Sequence, residues 1–355
     1  MKLDFFKQWP LAILMIAGLF IQSCSNDPAP TVKTGETGFF IVNEGLFGSG
    51  NASVSFYDRK ADAVSNNIFS VKNGRPLGDQ AQSMTVFENK GYIVVQNSAK
   101  VEVINADDFT SVATISADLP NPRYFIGISS TKGYISDWGA DGVTGTVKVV
   151  DLSNYKVTKT IATGKGANQM LKVNNLVYVT NSGGFDNDKT VKVIDSGTDA
   201  ITATITIGDN PNSIQRDKDG NIWVASSGGI LNYMPSTRGT LSKLSSTNAE
   251  IMRLTVDKLT FGSISNLGIS PDGATLYYLF DGNIFSMSTA ATTLPATPFK
   301  AGSYYGLAID PFNGYIIGCI APSFSAAGNI DVMAPDGNLV KNYTVGIAPN
   351  GCAFK

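Results

Sequence analysis

The sequence predicts an all-β fold, a seven-bladed β-propeller whose ring is closed by N-terminal strands together with the C-terminal strand. Residues 176–213 contain two runs with alternating valines, and this two-residue period is typical of half-buried strands. A tight turn leads into a third run, Ile201–Ile207, and the Gly-Asp-Asn-Pro sequence at 208–211 then breaks the pattern. The rest of the chain repeats this unit with variations.

The first strand of the repeating unit recurs seven times along the chain. The seven segments are Gln82–Phe87, Phe125–Ser129, Asn168–Lys172, Asn212–Arg216, Asn266–Ser270, Tyr305–Ile309 and Asn350–Phe354. They follow one another at intervals of about 40 to 54 residues, which is the period of propeller blades. The first six continue through a tight turn into a second strand, and several of these turns contain Asn-Gly or Asp-Gly.

The two ends of the chain complement each other. The seventh segment ends the chain and has no further strands after it, whereas Phe39–Val42, Ala52–Tyr57 and Ala63–Val71 look like three strands without a first strand. We therefore expect the C-terminal strand to complete the blade that the N-terminal strands begin. Such closure removes the open sheet edges that invite aggregation.

Residues 1–23 are predicted to be a signal peptide. Two lysines precede a short apolar run, Leu11–Ile21, which is followed by Gln22-Ser23-Cys24. A membrane-spanning anchor is the alternative, but spanning takes about 20 apolar residues. The pattern resembles a bacterial lipobox, which implies that Cys24 is lipidated. Residues 24–37, rich in Ser, Pro, Thr and Gly, then form a tether, and 38–355 form the propeller.

Composition excludes several functions. The formal net charge is −2 and no cluster of lysine and arginine is present, so the basic stripe of a nucleic-acid-binding protein is missing. The chain has no histidine, which excludes Ser-His-Asp and Cys-His catalysis and histidine metal ligands. Asp186-Asn187-Asp188 could suggest a cation site, but calcium takes six to eight oxygen ligands. We interpret this segment as a solvated loop and expect neither metal nor cofactor.

Two cysteines remain after Cys24. Cys319 and Cys352 both lie in apolar strands, and free cysteine is among the residues most often buried. We expect two unpaired core thiols, with a disulfide as the alternative that a secreted location permits.

Long, varied loops follow the second strands, at 43–51, 136–144, 181–189 and 321–328, whereas the turns after first strands are short. Variable loops on a rigid scaffold are where binding residues tend to lie, so this loop face is the expected functional face. The candidate ligand-binding residues are Phe47, Gln82, Arg123, Tyr124, Trp138, Asn168, Gln169, Phe185, Asn212, Asn266, Tyr304, Tyr305, Phe324 and Asn350.

Structural roles compete with ligand binding for many of these candidates. An asparagine that opens a first strand can cap a turn by bonding the backbone two residues on, and aromatic residues can pack between blades. Residues 235–259 carry charges of both signs and are expected to form outer strands or a loop over the rim.

A family resemblance lies in the central repeats. Tyr178-Val-Thr-Asn181, followed by Thr190–Asp195 and Ala203–Gly208, resembles the YVTN (YncE-like) propeller repeat. With the lipobox, the chain resembles the cobalamin-capturing surface lipoproteins of Bacteroidota. That resemblance implies a protein anchored to the outer membrane by lipid alone, exposed at the cell surface, which binds vitamin B12 or another corrinoid on one face. It also implies delivery to a TonB-dependent outer-membrane transporter. Asp27 resembles the export signal of that phylum, and the periplasmic face remains the alternative.

Two other functions stay open at this stage. Lactonase-like and lyase-like propellers usually need a metal or a catalytic histidine, and Glu44, the only glutamate evident on the loop face, has no clear partner in the sequence. We therefore predict that the protein is not an enzyme. A scaffold that binds proteins at the cell envelope is the main alternative to ligand capture.

Overall fold

The computed structural model describes residues 37–261 and 263–355, and the regular structure in this part of the chain is almost entirely β-strand. The strands form seven antiparallel blade sheets and one separate two-stranded hairpin. The all-β, seven-bladed propeller expected from the sequence is therefore confirmed. The signal peptide, Cys24 and nearly all of the tether lie outside the described residues.

Blades 1 to 4 follow one another along the chain. Blade 1 begins with β1 Gly38–Asn43, β2 Ser53–Asp58 and β3 Ala63–Ser65, followed by helix α1 Ile68–Asn73. Blade 2 contains β4 Ala81–Phe87, β5 Lys90–Val95, β6 Lys100–Asn105 and β7 Ser111–Ile115, with a 3₁₀ turn at Gln96–Ser98. Blade 3 contains β8 Pro122–Ser129, β9 Lys132–Asp137, β10 Thr146–Asp151 and β11 Lys156–Ala162. Blade 4 contains β12 Ala167–Val173, β13 Leu176–Asn181, β14 Thr190–Asp195 and β15 Ala200–Thr206.

Blades 5 to 7 complete the ring. Blade 5 and its extra hairpin contain β16 Pro211–Arg216, β17 Ile222–Ser226, β18 Ile230–Leu231, β19 Met234–Pro235, β20 Thr240–Leu244 and β21 Glu250–Thr255. The hairpin is β18 with β19. Blade 6 contains β22 Ile264–Ile269, β23 Thr275–Phe280 and β24 Asn283–Ser288. Blade 7 contains β25 Gly306–Ile309, β26 Ile316–Ile320, β27 Ala327–Met333 and β28 Leu339–Ile347, and β29 Pro349–Phe354 joins blade 1.

The ring closes in blade 1, where β29 pairs with β1. The antiparallel register places Phe40 opposite Ala353 and Ile41 opposite Cys352. Ile41 is fully buried and packs in one apolar cluster with Ile330 of blade 7. The closure expected from the two ends of the sequence is therefore confirmed, and it ties the first blade to the last.

The hydrophobic core is a ring of small cores between neighbouring blades. On β13, Val177 and Val179 pack with Tyr134 of blade 3, whereas Tyr178 packs on the opposite side with Val224 of blade 5. The alternating pattern had indicated half-buried strands, but β13 is buried on both faces because another blade covers each one. The two-residue period here separates two apolar interfaces instead of separating core from solvent.

Residues 63–71 differ from the sequence prediction. Only Ala63–Ser65 is a strand, and helix α1 occupies much of the rest. The helix buries Phe69 in the core between blades 1 and 2, and Gly74 ends it in the left-handed conformation at φ +65°. No helix within residues 37–261 or 263–355 is both long and apolar enough to cross a membrane.

The predicted insertion at 235–259 provides the third and fourth strands of blade 5, β20 and β21, so the expectation of outer strands is met. The extra element of this blade is the hairpin formed by β18 and β19, which precedes them. Blade 6 has three strands, and beyond them Lys300 makes an isolated bridge to Ile284.

The two cysteines of the described chain are unpaired, as expected. Cys319 is buried, but Cys352 is only partly buried, since β29 is the innermost strand of its blade and Cys352 faces the central channel. The prediction that both thiols are buried therefore holds for Cys319 and is only partly met by Cys352, which packs against the apolar cluster that contains Cys319.

Candidate functional site

The first strands of the seven blades surround a central cavity of about 590 Å³, which we call the axial channel. Amide and hydroxyl side chains line it together with apolar ones, including Gln82, Asn168, Gln169, Asn212 and Asn350. The channel wall is therefore mixed, with amide and hydroxyl groups set among apolar side chains such as Met84, Met170 and Leu267.

A second cavity of about 560 Å³, the mouth pocket, lies at the loop face. It shares Gln82, Tyr124, Ser265, Asn266 and Asn350 with the axial channel, so the two cavities are continuous. Its other lining residues are Glu44, Gln80, Gln96, Arg123, Ser263, Leu279, Asp281, Gly282, Tyr304 and Tyr305. These residues lie at the ends of second strands, in the connections after them and in the connections that enter a new blade. The pocket is therefore on the face that the loop pattern indicated.

Glu44 is held in the mouth pocket by two partners. The hydroxyl of Tyr305 donates to Glu44 Oε2 at 2.9 Å, and the amide of Asn350 donates to Oε1 at 2.9 Å. Burial raises the pKa of Glu44 above its usual value, while these two hydrogen bonds and Arg123 partly offset that rise. The sequence had suggested that Glu44 had no partner, and this was wrong because both partners lie more than 250 positions away along the chain.

Arg123 lines the same pocket and is fixed there by two neighbours. Its guanidinium donates to Gln96 Oε1 and lies over the ring of Trp138, with Cζ 3.9 Å from the ring centroid. Within the described chain it makes no ion pair, and its Nε is buried without a hydrogen-bond partner. Burial lowers the pKa of Arg123 to about 10. The pocket thus contains a cation and a carboxyl group that do not pair with each other.

Aromatic rings extend outward from the pocket. The Phe185 ring meets Trp138 edge-on at a centroid distance of 6.0 Å and is 78% exposed. It lies so close to Gly142 that a Cβ there would stand 2.3 Å from the ring. On the other side, Phe324 packs edge-on against Tyr305 at 5.2 Å. These exposed rings border the pocket with apolar surface.

Three of the predicted asparagines have structural roles, but they do not cap turns. Asn168 donates its amide to the carbonyl of Asn212 at 2.9 Å, and Asn212 donates to the carbonyl of Ile264 at 2.7 Å. Asn350 donates likewise to the carbonyl of Gln82 at 3.0 Å. Each bond joins the first strand of one blade to that of the next blade, so these amides hydrogen-bond neighbouring blades to each other around the channel.

The predicted site residues therefore divide into groups. The residues that line the mouth pocket are Gln82, Arg123, Tyr124, Asn266, Tyr304, Tyr305 and Asn350. The residues that line only the channel are Asn168, Gln169 and Asn212. Trp138, Phe185 and Phe324 border the pocket through ring contacts. Phe47 is 70% exposed and lines neither cavity. Tyr304 is mainly structural, because it is buried and its hydroxyl donates to Asp331 at 3.0 Å.

Gln80 and Gln96 were missed by the sequence analysis. Gln80 donates to the carbonyl of Gly45, which anchors the loop that carries Glu44, and Gln96 holds Arg123. Both glutamines flank strands that the sequence had identified, one just before β4 and one just after β5. Their position on the loop face was the available signal.

The acidic segment at 186–188 forms turns and ion pairs. Asp186 pairs with Lys165 at 2.5 Å, and Asp188 accepts the backbone N–H of Thr190 at 2.8 Å. Among the residues that the structure describes, no group of three or more Asp, Glu or Cys side chains is arranged to hold a metal ion.

A ring of seven blades around an axial channel defines a β-propeller, a fold class whose members differ widely in function. The chain belongs to the family described as domain of unknown function DUF5074, which it matches over residues 37–341. No curated protein matches it.

Several solved structures share this fold. A quinonprotein alcohol dehydrogenase-like protein from Bacteroides thetaiotaomicron is 16% identical with a TM-score of 0.67, and the match covers 90% of this chain and 79% of that one. A periplasmic gluconolactonase from Pseudomonas aeruginosa is 13% identical with a TM-score of 0.64, covering 89% and 98%. A functionally unknown protein from Desulfotomaculum acetoxidans is 14% identical with a TM-score of 0.65, covering 90% and 98%. At these identities the likeness concerns the fold alone.

Proposed function

We propose that this protein captures a small organic molecule at the mouth pocket. The observation that carries the proposal is the meeting of side chains from blades 1, 2, 3, 6 and 7 at one cavity of about 560 Å³. Small-molecule sites usually measure about 300–1,000 Å³ and combine apolar surface with a few placed polar groups. Here the polar groups are held by neighbouring side chains, so little ordering remains to be done when a ligand binds.

The proposed ligand is a corrinoid. A corrin is a broad, partly apolar ring edged with amide side chains, and it is larger than the pocket, so one edge would enter while the ring rests on the border. Trp138, Phe185 and Phe324 supply aromatic surface for the ring, and Gln82 and Asn266 supply amide partners. The absence of histidine in the sequence means that no imidazole can replace an axial ligand of the cobalt. The cobalt would therefore keep the axial ligands with which it arrives.

The lipobox at Cys24 supports attachment to the outer membrane by lipid, with the propeller exposed at the cell surface. In that position the protein would pass its ligand to a TonB-dependent transporter. Recovery of a lipid-free mature form from cells that process other lipoproteins would contradict this anchoring.

Calorimetric titration of the purified propeller with cyanocobalamin tests the proposal. We expect saturable binding, weakened at least tenfold by Tyr305→Ala, because this change removes both an aromatic surface and the donor to Glu44. Lys218→Ala is the matched control, since Lys218 is an exposed residue in the turn after a first strand, on the opposite face. No binding at micromolar concentration, or equal weakening by both variants, would contradict the proposal.

A protein-binding scaffold is the second candidate, and one feature favours it. The hairpin formed by β18 and β19 exposes three apolar side chains at its tip, Leu231 at 66%, Tyr233 at 93% and Met234 at 63%. Tyr233 also has φ +61°, an uncommon conformation for a bulky residue. If the scaffold reading is right, an affinity purification should recover a partner that Tyr233→Ser releases, and no corrinoid should bind.

A further inference from the structure

We infer that Arg123 binds a singly charged oxyanionic group of the ligand, a carboxylate or a phosphodiester, inside the mouth pocket. The inference deepens the proposed function, because it concerns which chemical group of a captured molecule enters this site. It does not require that molecule to be a corrinoid.

Arg123 has no counter-ion within the described chain. Of the other arginines in the described chain, Arg59, Arg75 and Arg253 each pair with a carboxylate, and Arg216 and Arg238 are exposed to solvent. Arg123 has neither a carboxylate partner nor full hydration. A cation removed from water without an opposite charge is costly, and an anionic ligand would offset that cost.

The guanidinium of Arg123 is held in place by two neighbouring side chains. Gln96 accepts one of its N–H donors and the face of Trp138 covers its plane, with Cζ 3.9 Å from the ring centroid. Arginine has five N–H donors in a rigid fork, and within the described chain the bond to Gln96 is the one side-chain hydrogen bond that the Arg123 guanidinium makes. A fixed, planar and largely unused fork at a cavity wall matches the two oxygens of a carboxylate or phosphodiester.

Glu44 limits the ligand at this site to one negative charge. Glu44 lines the same pocket, and it is held by Tyr305 and Asn350 without pairing with Arg123. When Glu44 is ionised, its charge partly offsets that of Arg123 without an ion pair, and it repels a second negative charge. A monoanion or a neutral oxygen acceptor is thus favoured over a dianion.

The remaining titratable groups of the pocket are Tyr124, Tyr304, Tyr305 and Asp281. Asp281 pairs with Lys258 at 3.5 Å, and burial raises the pKa of each tyrosine. The tyrosines therefore do not change charge in weakly acidic solution. Glu44 does, because its protonation removes a negative charge beside Arg123. Monoanion affinity should therefore fall as the pH rises through the pKa of Glu44.

The test uses small probes that carry only the group in question. Dimethyl phosphate is a monoanion throughout the range tested, acetate is one above about pH 5, and trimethyl phosphate is the neutral methyl ester of the first. Binding can be followed by the fluorescence of Trp138, which touches Arg123, since Trp223 is fully buried elsewhere in the propeller. We expect saturable binding of the monoanions to the wild-type propeller. Trimethyl phosphate should bind more weakly, by about tenfold or more.

Arg123→Gln removes the charge but keeps an amide that can bond Gln96, so it should fold and lose monoanion binding by about tenfold or more. Lys165→Gln is the matched control, because Lys165 is an exposed, ion-paired cation on the same face. Glu44→Gln should bind dimethyl phosphate, whose charge does not change in this range, with an affinity independent of pH between 4 and 7. Equal binding by wild type and Arg123→Gln, no saturable monoanion effect, or equal binding of trimethyl phosphate would overturn the inference.

The same variants separate this inference from the proposed function. Cyanocobalamin binding that is unchanged in Arg123→Gln would overturn the anion site and leave corrinoid capture standing. Monoanion binding that depends on Arg123, without any cyanocobalamin binding, would support the anion site and contradict the corrinoid.

Discussion

Removing residues 349–355 tests whether the two ends of the chain hold the ring closed. The deletion takes away β29, which faces β1 over five residue pairs in blade 1. At about 1 kcal/mol of backbone hydrogen bonding per pair, the loss is about 5 kcal/mol. The deletion also removes Asn350, which bonds both Glu44 and the backbone of blade 2, and the buried Ala353.

A natural domain is stable by about 5–15 kcal/mol, so the truncated chain should be largely unfolded or associate through the exposed edge of β1. Thermal melting by circular dichroism and size-exclusion chromatography measure these outcomes. Deleting Lys355 alone is the matched control, because it removes an ion pair with Asp107 at 2.7 Å that is worth about 1 kcal/mol or less. A truncated chain that stays monomeric with an unchanged melting temperature would refute closure by β29.

Three further predictions concern the packing, the charges and the ligand. Phe69→Ala should destabilise the protein by about 3–5 kcal/mol in denaturant unfolding, because Phe69 is 1% exposed between blades 1 and 2, whereas the 80% exposed Val71 should tolerate alanine. Burial raises the folded-state pKa of Glu44 above its usual value of 4.5, so the folded protein holds this proton more tightly than the unfolded chain does. The stabilisation from Glu44 is therefore full below pH 4.5 and is lost as the pH rises through the folded-state pKa. Glu44→Gln should remove this contribution in melts recorded against pH, and parallel curves for the two proteins would contradict it. The absorption spectrum of bound cyanocobalamin should match that of the free molecule, and loss of its cyanide ligand on binding would show that a protein group reaches the cobalt.

The fold could be predicted from the sequence because each blade repeats one pattern at nearly constant spacing. Residues 82–87 and 350–354 were placed correctly as inner strands, since hydrophobic alternation and turn residues act locally. Helix α1 was missed because the burial of Phe69 in the core between blades 1 and 2 favours it. This is a tertiary contact, and local sequence propensity does not predict it.

The site was only partly predictable, for a geometric reason. Loop position identified Arg123, Tyr305 and Asn350, since the connections on one face of a propeller must converge on its axis. The hydrogen bonds of Glu44 to Tyr305 and Asn350 join residues that are 261 and 306 positions apart in the sequence. A pattern within a few neighbouring residues therefore cannot predict them. Sequence position alone also could not distinguish the asparagines that hydrogen-bond neighbouring blades from those that face a ligand.

The central claim is that the mouth pocket receives the ligand, and a crystal structure of the propeller grown with cyanocobalamin tests it most directly. The account expects density for the corrinoid over the loop face, with one edge in the pocket, an oxygen acceptor at Arg123 and the ring against Trp138 or Tyr305. Density on the opposite face, or contacts that leave Arg123 and Tyr305 untouched, would contradict it.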